Sequence, residues 1–105
     1  MRFVETPVFT SSLRGLLGAE EYRQLQVALL LRPEQGALIR GSGGLRKLRW
    51  GAAGRGKRGG LRLIYYWEPP EELFYMLYVY PKNVQDDLTP VQMRTLRRLV
   101  KEELK

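Results

Sequence analysis

Apolar positions along this chain change their period several times, and each change predicts an element. Arg2 to Thr6 reads as a short strand, stopped near Pro7. Ser11 and Ser12 are helix N-cap types, and a short helix is expected to run from them to Leu17, before Gly18. Between Ala19 and Arg32, Tyr22, Leu25 and Leu29 recur at helical spacing. Glu20 and Glu21 fall in the first turn of that helix, where its dipole favours acid, and Pro33 ends it. The two segments predict a helical hairpin. Pro33 to Gly44 reads as a loop with one apolar island, Leu38-Ile39.

Strand patterns then take over, at Leu45–Trp50, Leu61–Trp67 and Leu73–Tyr80. A glycine-rich loop from Ala52 to Gly60 and a Glu68-Pro69-Pro70-Glu71 turn connect them, which predicts an antiparallel meander. Thr89, Pro90 and Gln92 spell an N-cap, a first helical position and the return leg of a capping box. The helix they open has Met93, Leu96, Leu99 and Val100 inside and Arg94, Arg97, Arg98 and Lys101 outside. The expected fold is α+β: an antiparallel twisted sheet, made of the N-terminal strand and the three-strand meander, packed against the N-terminal helical hairpin, with a C-terminal helix. Residues 1–105 leave room for a single domain.

Composition narrows the chemistry. The apolar fraction of 44% supports a core, and the net charge of +7 favours acidic partners. Cysteine and histidine are both absent. Disulfides, thiolate catalysis and the usual neutral-pH base are therefore excluded, and neither a metal nor another cofactor is expected. No apolar run reaches the roughly 18 residues of a membrane span, and the N-terminus lacks a signal-peptide core, so a soluble cytoplasmic protein is expected.

The charge is concentrated. Between Gln35 and Trp67 there is no Asp or Glu, yet Arg40, Arg46, Lys47, Arg49, Arg55, Lys57, Arg58 and Arg62 lie there among glycines. Such a stretch suits a polyanion, most simply a nucleic-acid backbone. Strand alternation puts Lys47 and Arg49 on one face with Leu45, and Arg46, Leu48 and Trp50 on the other. In the next strand Arg62, Ile64 and Tyr66 share a face, opposite Leu61, Leu63, Tyr65 and Trp67. Pairing these strands with Lys47 and Arg49 beside Arg62 would bring three cations together, expected to be exposed because unpaired Lys and Arg are almost never buried. Phe74, Met76, Tyr78 and Tyr80 are expected on one face of the third strand, with Lys82 just beyond it. Most of the strand aromatics should be core. The remainder, interleaved with cations, would suit single-stranded nucleic acid.

Residues 51–58 nearly spell a phosphate-binding P-loop, but Arg58 replaces the Ser or Thr that would hold magnesium, and a strand rather than a helix follows. Nucleotide hydrolysis is excluded on that ground. The glycines still allow backbone amides, Lys57 and Arg58 to approach a phosphate, and the loop is expected to be mobile until RNA orders it.

Several segments together resemble the RelE/HigB toxins of type II toxin–antitoxin systems. They are Gly43-Gly44-Leu45-Arg46-Lys47, Gly54 to Gly60, Arg62-Leu63-Ile64-Tyr65-Tyr66, Tyr78-Val79-Tyr80-Pro81-Lys82-Asn83 and Asp87-Leu88-Thr89. The resemblance is strongest to the HigB branch and implies a ribosome-dependent mRNA endoribonuclease that uses the RNA 2′-hydroxyl as nucleophile. It assigns catalytic roles to Lys47, Arg49, Arg62 and Lys82, with Tyr80 or Tyr78 substituting for a C-terminal tyrosine that has no counterpart here. Asn83 stands where RelE has a second arginine. Contacts to RNA would come from Arg46, Arg55, Lys57, Arg58, Tyr78 and Asn83. A lysine serving as base would need its proton held less tightly, which neighbouring arginines achieve by like-charge repulsion. The implied partners are the ribosome, mRNA and a cognate antitoxin of helix-turn-helix type. Two other readings remain: a ParE-like gyrase inhibitor, against which the basic strands argue, and a non-catalytic RNA- or ribosome-binding module.

Overall fold

The computed structural model describes residues 2–51, 60–70 and 72–103. Its elements are β1 (Arg2–Glu5), α1 (Pro7–Leu13), α2 (Ala19–Leu31), β2 (Ala37–Leu38), β3 (Arg46–Trp50), β4 (Leu61–Glu68), β5 (Leu73–Pro81) and α3 (Pro90–Glu103). The expected α+β class and the C-terminal helix are both present. The sheet has five strands in the order β1-β5-β4-β3-β2. It is mixed rather than wholly antiparallel, because β1 lies parallel to β5. That arrangement follows from α1 and α2, which carry the chain away from β1 before the meander begins.

The first helix starts earlier than its serines suggested. Thr6 is the N-cap and Pro7 the first helical residue, the same Thr-Pro signature as at Thr89-Pro90. The Thr6 hydroxyl accepts from the Phe9 N–H at 2.9 Å and donates to the Leu77 carbonyl at 2.8 Å, so one buried side chain caps the helix and ties it to β5. Residues 37–38, expected in a loop, form a two-residue edge strand against Lys47 and Arg46. At α3 the Thr89 hydroxyl accepts from the Gln92 N–H, and the Gln92 side chain accepts from the Thr89 N–H, closing the expected capping box.

Two apolar clusters sandwich the sheet. On one face Phe9, Leu25 and Leu29 from α1 and α2 meet Leu48, Leu61, Leu63, Tyr65, Phe74, Met76 and Val79. On the other, Leu96 and Val100 of α3 meet Leu45, Ile64, Tyr75, Leu77 and Tyr80. Phe74, Met76, Tyr78 and Tyr80 do not share a face as alternation implied. Ile64 pairs with Tyr78 but Tyr65 pairs with Met76, so Leu77 is an extra residue in β5. This bulge reverses the alternation and turns Tyr78 and Tyr80 onto the α3 side.

Candidate nucleic-acid interface

On the face of the sheet that α3 packs against, β3 and β4 carry the cations. Arg49 lies directly opposite Arg62, Lys47 opposite Ile64, and Tyr80 flanks Arg62 on the other side. Alternation puts the three on one face; the register sets Arg49 directly beside Arg62 and Lys47 diagonal to it.

Their exposure differs from expectation. Arg49 is exposed and Lys47 half-buried, but Arg62 is only 2% exposed. Neighbouring strands on both sides wall in its stem. Among the described residues its Nε has no hydrogen-bond partner, a carboxylate oxygen of Asp86 lies 3.6 Å away, and one terminal nitrogen donates to the Leu61 carbonyl at 3.3 Å. A buried guanidinium with so little compensation is costly. Folding alone would favour an apolar side chain at this position.

The segment between β5 and α3, from which only Lys82 and Asn83 were expected, also brings Asp86 and Asp87 to this face. Lys47 Nζ donates to the Asp87 carboxylate. The Tyr80 hydroxyl donates to the Asp86 carbonyl at 3.1 Å. The Lys47 bond, then the charge of Lys47, hold the Asp87 carboxyl below the usual carboxylate range. Burial, followed by the Asp87 charge, pushes the Tyr80 phenol up to about 12. Tyr80 therefore keeps its phenolic proton at neutral pH. The overlooked signal was the Asp86-Asp87 pair itself, the first acid after Glu72 and set just past Lys82.

The other candidates divide. Tyr78 is half-buried, its ring 5.2 Å from that of Tyr80. The Lys82 N–H donates to the Gly60 carbonyl at 3.1 Å, which fixes its backbone beside the start of β4. Asn83 is exposed in the turn that follows. Arg46 lies on the opposite face, where it donates to the carbonyls of Glu34 and Gly36 at 3.1 and 2.8 Å, clipping the α2–β2 connection to β3. Arg55, Lys57 and Arg58, with the near P-loop and the expected mobility of that segment, lie outside the described residues.

Known proteins share this architecture. The isolated E. coli RelE toxin superposes with a TM-score of 0.57 at 18% identity, over 92% of this chain and 96% of its own. A double-arginine mutant of E. coli toxin RelE in the free state gives 0.59 at 18% identity, over 96% and 95% of the two chains. A chain of the intact E. coli RelBE toxin-antitoxin complex gives 0.54 at 20% identity, over 73% and 90%. At such identities these likenesses speak to the fold. A family model described as the RelE toxin of the RelE / RelB toxin-antitoxin system matches residues 29–105, which include every cation and carboxylate of this face. The chain belongs to the RelE toxin family.

Proposed function

We propose that this protein is the toxin of a toxin–antitoxin pair and acts in the cytoplasm as an endoribonuclease on ribosome-bound mRNA. The observation that carries this reading is the buried, under-compensated Arg62, flanked across the strands by Arg49 and Tyr80. Cleavage of RNA by its own 2′-hydroxyl forms a bond from that oxygen to phosphorus and breaks the bond to the 5′-oxygen. Negative charge gathers on the phosphoryl oxygens between the two events. Arg62, Arg49 and Lys47 would hold that charge, and a desolvated guanidinium does so far better than one in water. The Tyr80 phenol, protonated at neutral pH, would give its proton to the departing 5′-oxygen. Lys82 and Asn83, next along the chain, would meet the flanking phosphate and sugar.

With no histidine, the site is poorly equipped to deprotonate the 2′-hydroxyl unaided. Solvent water would take the 2′-hydroxyl proton, and orientation of the message by the ribosome would compensate for so weak a base, since positioning alone is worth many kcal/mol. Purified protein should therefore cut a message on translating ribosomes and leave the same naked RNA nearly intact. Equal cutting of both would contradict ribosome dependence; inhibition of DNA gyrase with all RNA intact would replace the reading altogether. A cognate antitoxin, read as a helix-turn-helix protein with an acidic or amphipathic segment, would neutralise this basic chain; the likeness to a chain of the intact E. coli RelBE toxin-antitoxin complex supports such a partner.

A further inference from the structure

We infer that the Asp86-Asp87 segment is an internal anion, held on Lys47 and Arg62 until an RNA phosphodiester displaces it. The inference rests on the reading of this face as an RNA-cleaving site, and it concerns how that site is kept closed.

Three observations converge. Each of the two carboxylates approaches a different cation: Asp87 is hydrogen-bonded to Lys47, and Asp86 lies 3.6 Å from Arg62 Nε. Together they place negative oxygens over the cations that would otherwise face a phosphate. The segment is also fastened at both ends. At one end the Val84 N–H donates to the Pro81 carbonyl at 3.1 Å. At the other, Gln85 Nε2 donates to the Asp87 carbonyl and to Gln92 in the first turn of α3, each at 2.9 Å. Finally, the Tyr80 hydroxyl is spent on the Asp86 carbonyl, so the proposed proton donor can reach a substrate only when this segment shifts.

Magnitudes favour displacement. The Asp86 and Asp87 side chains are 62% and 72% exposed, and ion pairs open to water on one side are worth little. A phosphodiester offers two oxygens to the fork of a guanidinium, and such contacts are stronger. Arg62, with an unpaired Nε, has donor capacity left for them. Beside the pair, a cleft of about 300 Å³ runs between Leu38, Ile39 and Leu88, with Lys47 and Asp87 in its wall, and gives an incoming nucleotide access.

The test measures binding separately from cleavage. The full-length protein is titrated into a short fluorescent single-stranded RNA, as wild type, as Asp86→Asn plus Asp87→Asn, and as Asp87→Asn alone. A charge-matched control carries Glu102→Gln plus Glu103→Gln, two exposed positions on α3. If the open form is about a tenth of the population, releasing the segment tightens binding about tenfold. The double Asn variant should show that gain, Asp87→Asn a part of it, and the control almost none. In a Lys47→Ala background the gain from Asp87→Asn should vanish. An affinity equal to wild type, no measurable binding by the variant, or the same gain in the control would each overturn the inference. Cleavage of translated message is read in parallel. If no form cuts it, the nuclease reading fails while the binding data still decide whether the segment is an internal anion.

Discussion

Tyr65 and Arg62 are three residues apart on one strand, both almost wholly buried, on opposite faces of the sheet. Tyr65 is satisfied. Its hydroxyl donates to the Pro33 carbonyl at 2.7 Å and accepts from the Gly36 N–H at 3.0 Å, so a polar atom in the core ties β4 to the connection after α2. Among the described residues Arg62 has one long contact, from its Nε to the Asp86 carboxylate at 3.6 Å, and one hydrogen bond, to the adjacent Leu61 carbonyl at 3.3 Å. A buried polar group with its partners in place ties the fold together; one with few partners adds little to stability and keeps donors unused. The two faces divide in the same way. The α1–α2 side is packed with apolar side chains, whereas the α3 side is packed only until Arg62, Arg49 and Lys47 begin.

Removing either group should therefore have opposite consequences. Arg62→Met should cost at least about a hundredfold in cleavage, near 3 kcal/mol of transition-state stabilisation. Its stability should stay within about 1 kcal/mol of wild type, because an apolar replacement of a poorly paired buried charge is often neutral or better. Growth inhibition on induction and urea unfolding check the two halves. Tyr65→Phe should do the reverse, losing about 2 kcal/mol by leaving the Pro33 carbonyl and Gly36 N–H unpaired while each folded molecule keeps its activity.

A smaller effect sharpens the architectural side. A Cβ on Gly36 would sit 2.8 Å from Tyr65 Cε1 and 3.0 Å from its hydroxyl oxygen. Gly36→Ala should destabilise by about 1 kcal/mol, and by less in a Tyr65→Phe background, because both act on one contact. Thermal melts of the single and double variants measure this.

The smallest effect is in pH. Asp87 has its carboxyl lowered from the ordinary 3.8, chiefly by the Lys47 bond, so its contribution is present above that value and disappears as pH falls through the lower folded one. Tyr80 behaves in the opposite sense. Its phenol is raised from 10.0 to about 12, so the stability linked to its neutral form is present below pH 10.0 and is lost as pH rises towards 12. Tyrosinate absorbance of wild type against Tyr80→Phe should show one late-titrating tyrosine missing from the variant.

Much of this was readable from residue order, and the exceptions have physical causes. The facing of Arg49 and Arg62 follows from a period of two in two neighbouring strands with a local connection, and so does the separation of Arg46 from Lys47. The capping box at Thr89 is a matter of local hydrogen bonds. Thr6-Pro7 carries the same signal as Thr89-Pro90, but Ser11 and Ser12 compete for the role of cap, and the burial of Phe9 decides in favour of Thr6. The Leu77 bulge has no local mark: every residue from Leu73 to Tyr80 is a good strand former, and the switch of face is settled by what packs on each side. The parallel seat of β1 is likewise a long-range choice. Arg62 looked like a surface cation because its burial comes from strands on both sides of it. Asp86 and Asp87 looked like an ordinary acidic turn, since their partners are distant in sequence.

We propose that RNA is cut at the cationic end of the α3 face, and that the opposite face only supports it. Single-turnover cleavage of a message on purified ribosomes, normalised to folded protein, tests it with wild type, Arg62→Met and Tyr65→Phe side by side. The account predicts wild-type rates for Tyr65→Phe and about a hundredth of that rate or less for Arg62→Met. Equal rates for wild type and Arg62→Met, with both proteins folded, would contradict it.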